Sequence, residues 1–204
     1  MWYLTGDYPA AAPALEQALG IYRDFDDGFG QSETLSYLGM LRLLTGDYPA
    51  AAQTLQQALG VYRDFGDRFG EANALNGLGA VRRLTGDHAG AAQTLEMALG
   101  IFRDIRVRGG EVEVLNEMGT LRRVSGDLVQ AEELHQQALE LARAIASFRD
   151  EAHALAGLGR CALAAGDAAT AEARLREALE IYQRIGAAEA PDLLGEVDAL
   201  TADL

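Results

Sequence analysis

Gly6, Gly46, Gly86, Gly126 and Gly166 stand forty residues apart without drift, and an aspartate follows each one: Asp7, Asp47, Asp87, Asp127 and Asp167. Ala11, Ala51, Ala91, Ala131 and Ala171 keep the same step, as do Ala18, Ala58, Ala98, Ala138 and Ala178. A fixed period of about 20–50 residues marks stacked structural repeats, each burying its apolar face only against its neighbours. The period outranks length as a guide. A chain of 204 residues would ordinarily suggest one or two domains, whereas stacked repeats form one continuous array.

Residues 67–106 show the content of one repeat. Asp67 suits the N-cap of a helix, where its carboxylate accepts a free amide N–H of the first turn. Leu75, Leu78, Gly79 and Arg82 then follow at the spacing of one helix face. Gly86 ends that helix, since glycine accepts the left-handed conformation beyond the last turn. Asp87 caps a second helix with an apolar stripe of Ala91, Thr94, Leu95, Ala98, Leu99, Phe102 and Ile105. Each repeat is therefore predicted to be an antiparallel helix pair, its second helix about 18 residues or roughly 27 Å long. Gly39, Gly79, Gly119 and Gly159 fall inside first helices, where glycine costs about 1 kcal/mol relative to alanine. Close approach to the facing helix explains them, and the small residues expected opposite are Ala51, Ala91, Ala131 and Ala171.

The set Leu75, Leu78-Gly79, Ala91, Leu95 and Ala98, with its counterparts in the other repeats, resembles the tetratricopeptide repeat. The likeness runs over nearly the whole chain. The period is forty rather than thirty-four, Leu75 replaces the usual tryptophan, and Arg103 stands where proline is frequent. The longer period is similar to the subclass found in kinesin light chains and cell-polarity adaptors. The wording of the repeats resembles the C-terminal arrays of actinobacterial regulators of the antibiotic-regulatory-protein and NB-ARC ATPase types. The resemblance implies an all-α fold, a right-handed α-α superhelix (solenoid) of stacked antiparallel helix pairs, and a non-catalytic module for binding a protein or peptide.

The array divides into a partial repeat over 1–26, repeats over 27–66, 67–106, 107–146 and 147–186, and a capping helix over 190–204. Met1 to Leu4 aligns with the last turn of a first helix that is otherwise missing. Trp2, Tyr3 and the stripe through Leu15 then lack a cover, because end repeats need polar caps. Two explanations stay open: an upstream part of a longer protein covers that face, or the chain associates with itself there. Val107-Arg108-Gly109-Gly110 lacks an aspartate cap and is expected to fray or bend. Ser147 with Asp150 restores a capping box. The fifth repeat is rich in alanine (Ala162, Ala164, Ala165, Ala168, Ala169), which predicts shallow packing. Pro191 suits a first helical turn, and the decayed motif around Gly195 reads as a cap and a natural C-terminus.

Charge and chemistry narrow the function. The net charge is -14, and all seventeen basic residues are arginine. An acidic chain without a basic run repels phosphate backbones and anionic membranes, so neither nucleic acid nor membrane is expected as a direct partner. No apolar run reaches about 18 residues, the N-terminus lacks signal-peptide character, and the single Cys161 fits a reducing, cytoplasmic compartment. His88, His135 and His153 show no ligand spacing, so no metal or other cofactor is expected. No phosphate loop is present, and no enzymatic activity is expected. His135 takes the place of Leu95 and reads as a core or rim histidine.

What varies from repeat to repeat is a second stripe on the first helices: Ser36, Met40, Leu43; Asn76, Ala80, Arg83; Asn116, Thr120, Arg123; Ala156, Arg160, Leu163. One turn earlier stand Glu33, Asn73, Glu113 and His153. The resemblance implies that first helices line a concave groove that holds a peptide. The candidate groove residues are Glu33, Tyr37, Met40, Asn73, Asn76, Arg83, Glu113, Asn116, Arg123 and Arg160. Asparagine amides can bind a peptide backbone, and arginine can fork onto a carboxylate. The expected partner is a protein or peptide segment with an acidic residue or C-terminal carboxylate, or another domain of a parent regulator. Two alternatives remain: arginines that pair with Glu113, Glu117 and their neighbours as a solvated face, and self-association into a homo-oligomer through Trp2, Tyr3 and Leu15.

Overall fold

The computed structural model describes residues 8–202. Among them are ten helices and no strand: α1 (Tyr8–Asp24), α2 (Gly28–Leu44), α3 (Tyr48–Phe65), α4 (Arg68–Leu84), α5 (His88–Asp104), α6 (Arg108–Val124), α7 (Leu128–Ala144), α8 (Phe148–Ala164), α9 (Ala168–Ile185) and α10 (Ala190–Ala202). The chain divides into two compact units, Met1–Gly110 and Glu111–Leu204. Within the first, α2 pairs with α3 and α4 with α5; within the second, α8 pairs with α9. The predicted second-helix length holds, α3 having 18 residues.

The forty-residue period is the period of the caps. Asp27, Asp47, Asp67, Asp87, Asp127 and Asp167 each accept the backbone N–H three residues on, at 2.9–3.2 Å. Gly46, Gly86, Gly126 and Gly166 close the first helices with φ of 82–86°. After second helices the same left-handed position holds Asp26, Gly66, Arg106, Ala146 and Gly186. The three non-glycine residues accept a conformation that costs roughly 1–2 kcal/mol. α6 begins at Arg108, in register with Gly28 and Arg68, so loss of the aspartate does not shorten it, and the boundary between the two units falls within its first turn. One expectation fails here. Ser147 makes no side-chain cap bond; its hydroxyl donates to Asp150 Oδ2 at 2.6 Å.

A wedge holds each pair together. A Cβ on Gly39 would stand 2.7 Å from Leu55 Cγ, one on Gly79 2.5 Å from Leu95 Cδ2, and one on Gly159 2.8 Å from Leu175 Cγ. Leu55 also presses on Gly77, 3.0 Å from a Cβ there. The partner of each glycine is therefore the leucine of the second helix, not the alanine four residues before it. Ala171 meets Gly159 only through its backbone oxygen, at 3.2 Å. That approach brings α8 and α9 close together, against the shallow packing predicted. The alanines behind that prediction (Ala162, Ala164, Ala165, Ala168 and Ala169) lie at the turn, exposed or half-buried.

A second joint links successive repeats in the first unit. The rings of Tyr22, Tyr62 and Phe102 lie against Gly30, Gly70 and Gly110, where a Cβ would fall 2.2–2.4 Å from ring carbons. Arg42 and Arg82 add polar ties. Each donates to the hydroxyl of a buried threonine on the facing helix, Thr54 and Thr94. Glu71, almost fully buried, receives Arg63 Nε at 2.9 Å and Arg68 Nη1 at 2.7 Å. Burial raises its carboxyl pKa, but the two guanidinium groups outweigh that and hold it below the usual carboxylate range.

The wedge makes a contrast between glycines measurable. Gly79→Val is expected to destabilise the chain by about 1–3 kcal/mol, because the cleft for Leu95 closes. Gly60 is exposed inside α3 with nothing within 4 Å of a Cβ, so Gly60→Ala is expected to stabilise by about 1 kcal/mol. Urea unfolding of the two variants checks both signs; a shift of the same sign in both would refute the wedge.

Candidate functional site

The first helices bury one face and turn the adjacent face outward, and the candidate residues follow from that geometry. In the first unit Leu35, Leu38 and Gly39 of α2 and Leu75, Leu78 and Gly79 of α4 are buried at corresponding places. Beside them Glu33 and Tyr37 are exposed, Tyr37 by 52%. Met40, Asn73, Asn76 and Arg83 are half-buried. Ser36 donates to the hydroxyl of Tyr62 at 3.1 Å, which ties the edge of this face to α3. Asn76 Oδ1 is buried without a hydrogen-bond partner among the described residues. This surface offers an aromatic ring, a thioether, two amides, a carboxylate and a guanidinium on neighbouring helices.

The second unit departs from the expected open face at two residues. Asn116 is fully buried. Its Nδ2 donates to the backbone oxygen of Asp150 at 3.3 Å, and its Oδ1 lies 3.2 Å from His135 Nδ1. It thus stitches α6 to α7 and α8 and presents no amide to a ligand. Arg160 is half-buried and already forked onto a carboxylate of α10, Nε to Glu196 Oε2 at 2.9 Å and Nη2 to Oε1 at 2.7 Å. Arg123 is half-buried and Glu113 exposed. Desolvation raises the Glu113 carboxyl to about 7 even though the residue is exposed; Asp150 adds to this and Arg149 opposes it. Such a group carries its full charge only on the alkaline side of neutrality.

His135 sits in the wedge position that leucine holds elsewhere, fully buried against Gly119 and Gly157. Because Asn116 Oδ1 can only accept, His135 Nδ1 carries the proton and Nε2 is left as an acceptor. That nitrogen has no partner among the described residues. Burial, then the positive charges of His153, Arg123 and Arg160, hold the imidazole pKa down at about 3. The expected core histidine is therefore found in the core. Cys161 is buried too, and burial raises its thiol pKa.

Of the self-association residues, Trp2 and Tyr3 lie outside the described residues. Leu15 of α1 is half-buried, packed on a cluster of Ala11, Leu38 and Leu41. Its repeat counterpart Leu55 is 2% exposed. Sequence reading missed the carboxylates that meet the α8 arginines, Glu189 and Glu196. Their signal was present: Arg149 and Arg160 stand eleven residues apart, three helical turns, on one face of α8. Among the described residues no group of three or more His, Cys, Asp or Glu could hold a metal ion, and no helix is long and apolar enough to cross a membrane.

The buried imidazole makes stability depend on pH with a definite sign. Its folded pKa lies below the unfolded value, so its contribution is complete above about pH 6.5 and falls as pH drops toward 3. At pH 5 the loss is expected to reach about 2 kcal/mol. Urea unfolding at pH 7 and pH 5 should show that much less acid sensitivity in His135→Leu than in the natural chain. An equal loss in both would mean that the imidazole is not the group responsible.

The family model described as Tetratricopeptide repeat matches residues 2–64, 31–104 and 111–184. No curated protein matches the chain in sequence. Among solved structures, BtubC (BKLC) from P. vanneervenii is similar, with a TM-score of 0.70 and 22% identity over 89% of this chain and 75% of that one. A Rap protein complexed with competence and sporulation factor gives a TM-score of 0.71 at 15% identity, over 99% of this chain and 61% of that one. A signal transduction ATPase with numerous domains (STAND) from Pyrococcus horikoshii, with a tetratricopeptide repeat sensor, gives 0.66 at 17% identity, over 85% and 27%. These likenesses show the fold: an all-α superhelical solenoid type built of helix pairs.

Proposed function

We propose, since this chain is a member of the tetratricopeptide repeat family, that it is a non-catalytic module binding a protein or peptide segment, the regulatory arm of a larger signalling or transcription regulator. The observation that carries the reading is the contrast within first helices of the first unit. The buried set Leu-x-x-Leu-Gly is identical in α2 and α4, while at corresponding partly exposed positions Glu33, Ser36 and Leu43 give way to Asn73, Asn76 and Arg83. Packing holds the frame constant while its neighbours differ in charge and polarity, as repeats that each meet a different part of a ligand would. The likeness to a Rap protein crystallised with a bound factor, and to a STAND protein with a repeat sensor, supports a ligand-reading role. So does the resemblance of the repeat wording to actinobacterial regulators.

The ligand chemistry proposed for the first unit is an acidic segment or a C-terminal carboxylate met by Arg83, with apolar side chains toward Tyr37 and Met40; in the second unit, taken by itself, Arg123 is the corresponding candidate for a carboxylate. Selection from a random-peptide library against the purified chain, with Arg83→Glu, Arg123→Glu as counter-target, tests it. Acidic sequences that bind the natural chain at least tenfold better are the expected result. No enrichment, or equal binding to both forms, would overturn it.

A second reading, self-association, is favoured by Leu15, which is half-buried where its counterpart Leu55 is enclosed. Sedimentation from micromolar to near-millimolar chain would then show a mass rising with concentration and lowered by Leu15→Gln. A constant monomer mass would remove this reading.

A further inference from the structure

We propose that the face of α8 bearing Arg149 and Arg160 is a docking surface for an acidic amphipathic helix, and that α10 is its internal occupant, displaced when a partner segment of that chemistry binds. The inference rests on the peptide-binding reading and adds a site and a competitor to it. Arg149, Ala156 and Arg160 follow one stripe of α8. Arg149 Nε donates to Glu189 Oε1 at 3.0 Å, and its Nη2 reaches the same oxygen. Arg160 makes the two-bond fork with Glu196 described above, the geometry in which guanidinium recognises carboxylate best. The two carboxylates are seven residues apart, Glu196 within α10 and Glu189 in the turn that leads directly into it.

Besides these ion pairs, α10 packs on α9 and buries Leu193 and Val197, with Leu200 half-buried, while Leu194 and Glu196 are exposed. At 13 residues it is at the margin of helices that persist unaided. Gly195 weakens its interior further. All the charged side chains of the segment (Glu189, Asp192, Glu196, Asp198) are acidic, with no basic residue in the last turn to complement the helix dipole. Apolar burial on α9 seats the helix and charge ties it to α8, through ion pairs that are partly open to solvent, with side-chain exposures of 33–61%. Such pairs are salt-sensitive and exchangeable. The arginines on α8 are a carboxylate site, filled by a weak helix that a better acidic helix can replace.

The test uses the full chain carrying Glu189→Gln and Glu196→Gln, and a fluorescein-labelled synthetic peptide of residues 187–202 as probe. Hydrogen exchange should show α10 amides opening at least tenfold faster in the double variant, with α8 and α9 unchanged. In fluorescence anisotropy the probe should bind the double variant at least tenfold tighter than the natural chain. Adding Arg149→Glu and Arg160→Glu, or replacing both glutamates of the probe by glutamine, should abolish that binding. Unchanged α10 exchange would overturn the proposal, as would equal binding to both forms or no binding to the double variant. None of these readouts involves Arg83 or Arg123. Failure here therefore leaves the library selection standing, and equal binding of selected acidic peptides to both forms there removes the Arg83 and Arg123 sites without removing this one.

Discussion

The constraint on which the rest depends is the seat of one second-helix side chain against a glycine of the first helix. Leu55 on Gly39, Leu95 on Gly79 and Leu175 on Gly159 leave no room for a single added carbon. A helix-interior glycine is unfavourable in isolation, so its return every forty residues marks a place where packing gains more than propensity loses. Once the wedge is seated, the rest of the pair follows. The aspartate caps fix where each helix starts, the left-handed turn residues fix where it stops, and the aromatic-on-glycine joints of the first unit set one repeat against the next.

His135 shows how specific that seat is. The imidazole occupies it with the same close contacts as leucine, against Gly119 and Gly157, but brings two polar nitrogens into a site built for none. One is satisfied by recruiting Asn116, which is why an amide on the outer stripe of α6 turns inward. The other is left without a partner among the described residues. An unsatisfied buried acceptor costs roughly 1–3 kcal/mol, so the substitution is not a neutral variation on the repeat. Its consequence reaches the outer stripe of α6: the Asn116 amide is committed to the core.

The helical frame could be read from the sequence because it is written in local, repeated chemistry. Asp67 before a helical stripe, Gly86 beyond it and Leu78-Gly79 within it each act within a few residues, and the structure has them where the period put them. What could not be read depends on reach across helices. The spacing of Ala91 and Leu95 is compatible with either facing Gly79, and only the geometry of the crossing selects Leu95. Arg82 looked like part of an apolar face because it shares that face's period; its guanidinium extends past the core to the Thr94 hydroxyl. Arg160 looked available because its carboxylate lies in a segment where the repeat motif has decayed. The side chains least legible from sequence are the long ones, whose heads lie far from their own Cα.

The arginines decide what kind of recognition remains possible. The first-unit guanidiniums of Arg42, Arg63 and Arg68 reach carboxylates on neighbouring helices, as do those of Arg143 and Arg160 in the second, while Arg149 reaches Glu189 in the turn before α10. In a chain of net charge -14, such ties use up cations that are already scarce. The surface left over is anionic, which favours basic partners at long range. The acidic ligand proposed above would then be admitted only where a guanidinium is held in place and its internal carboxylate is weakly anchored. Short-range forks and long-range repulsion oppose one another, and the balance shifts with ionic strength because screening removes the repulsion between distant charges first. On the proposed reading, selectivity for an acidic segment needs no deep pocket: the general field opposes most anions, and one with carboxylates matched to the arginines is offset by the short-range forks it gains there.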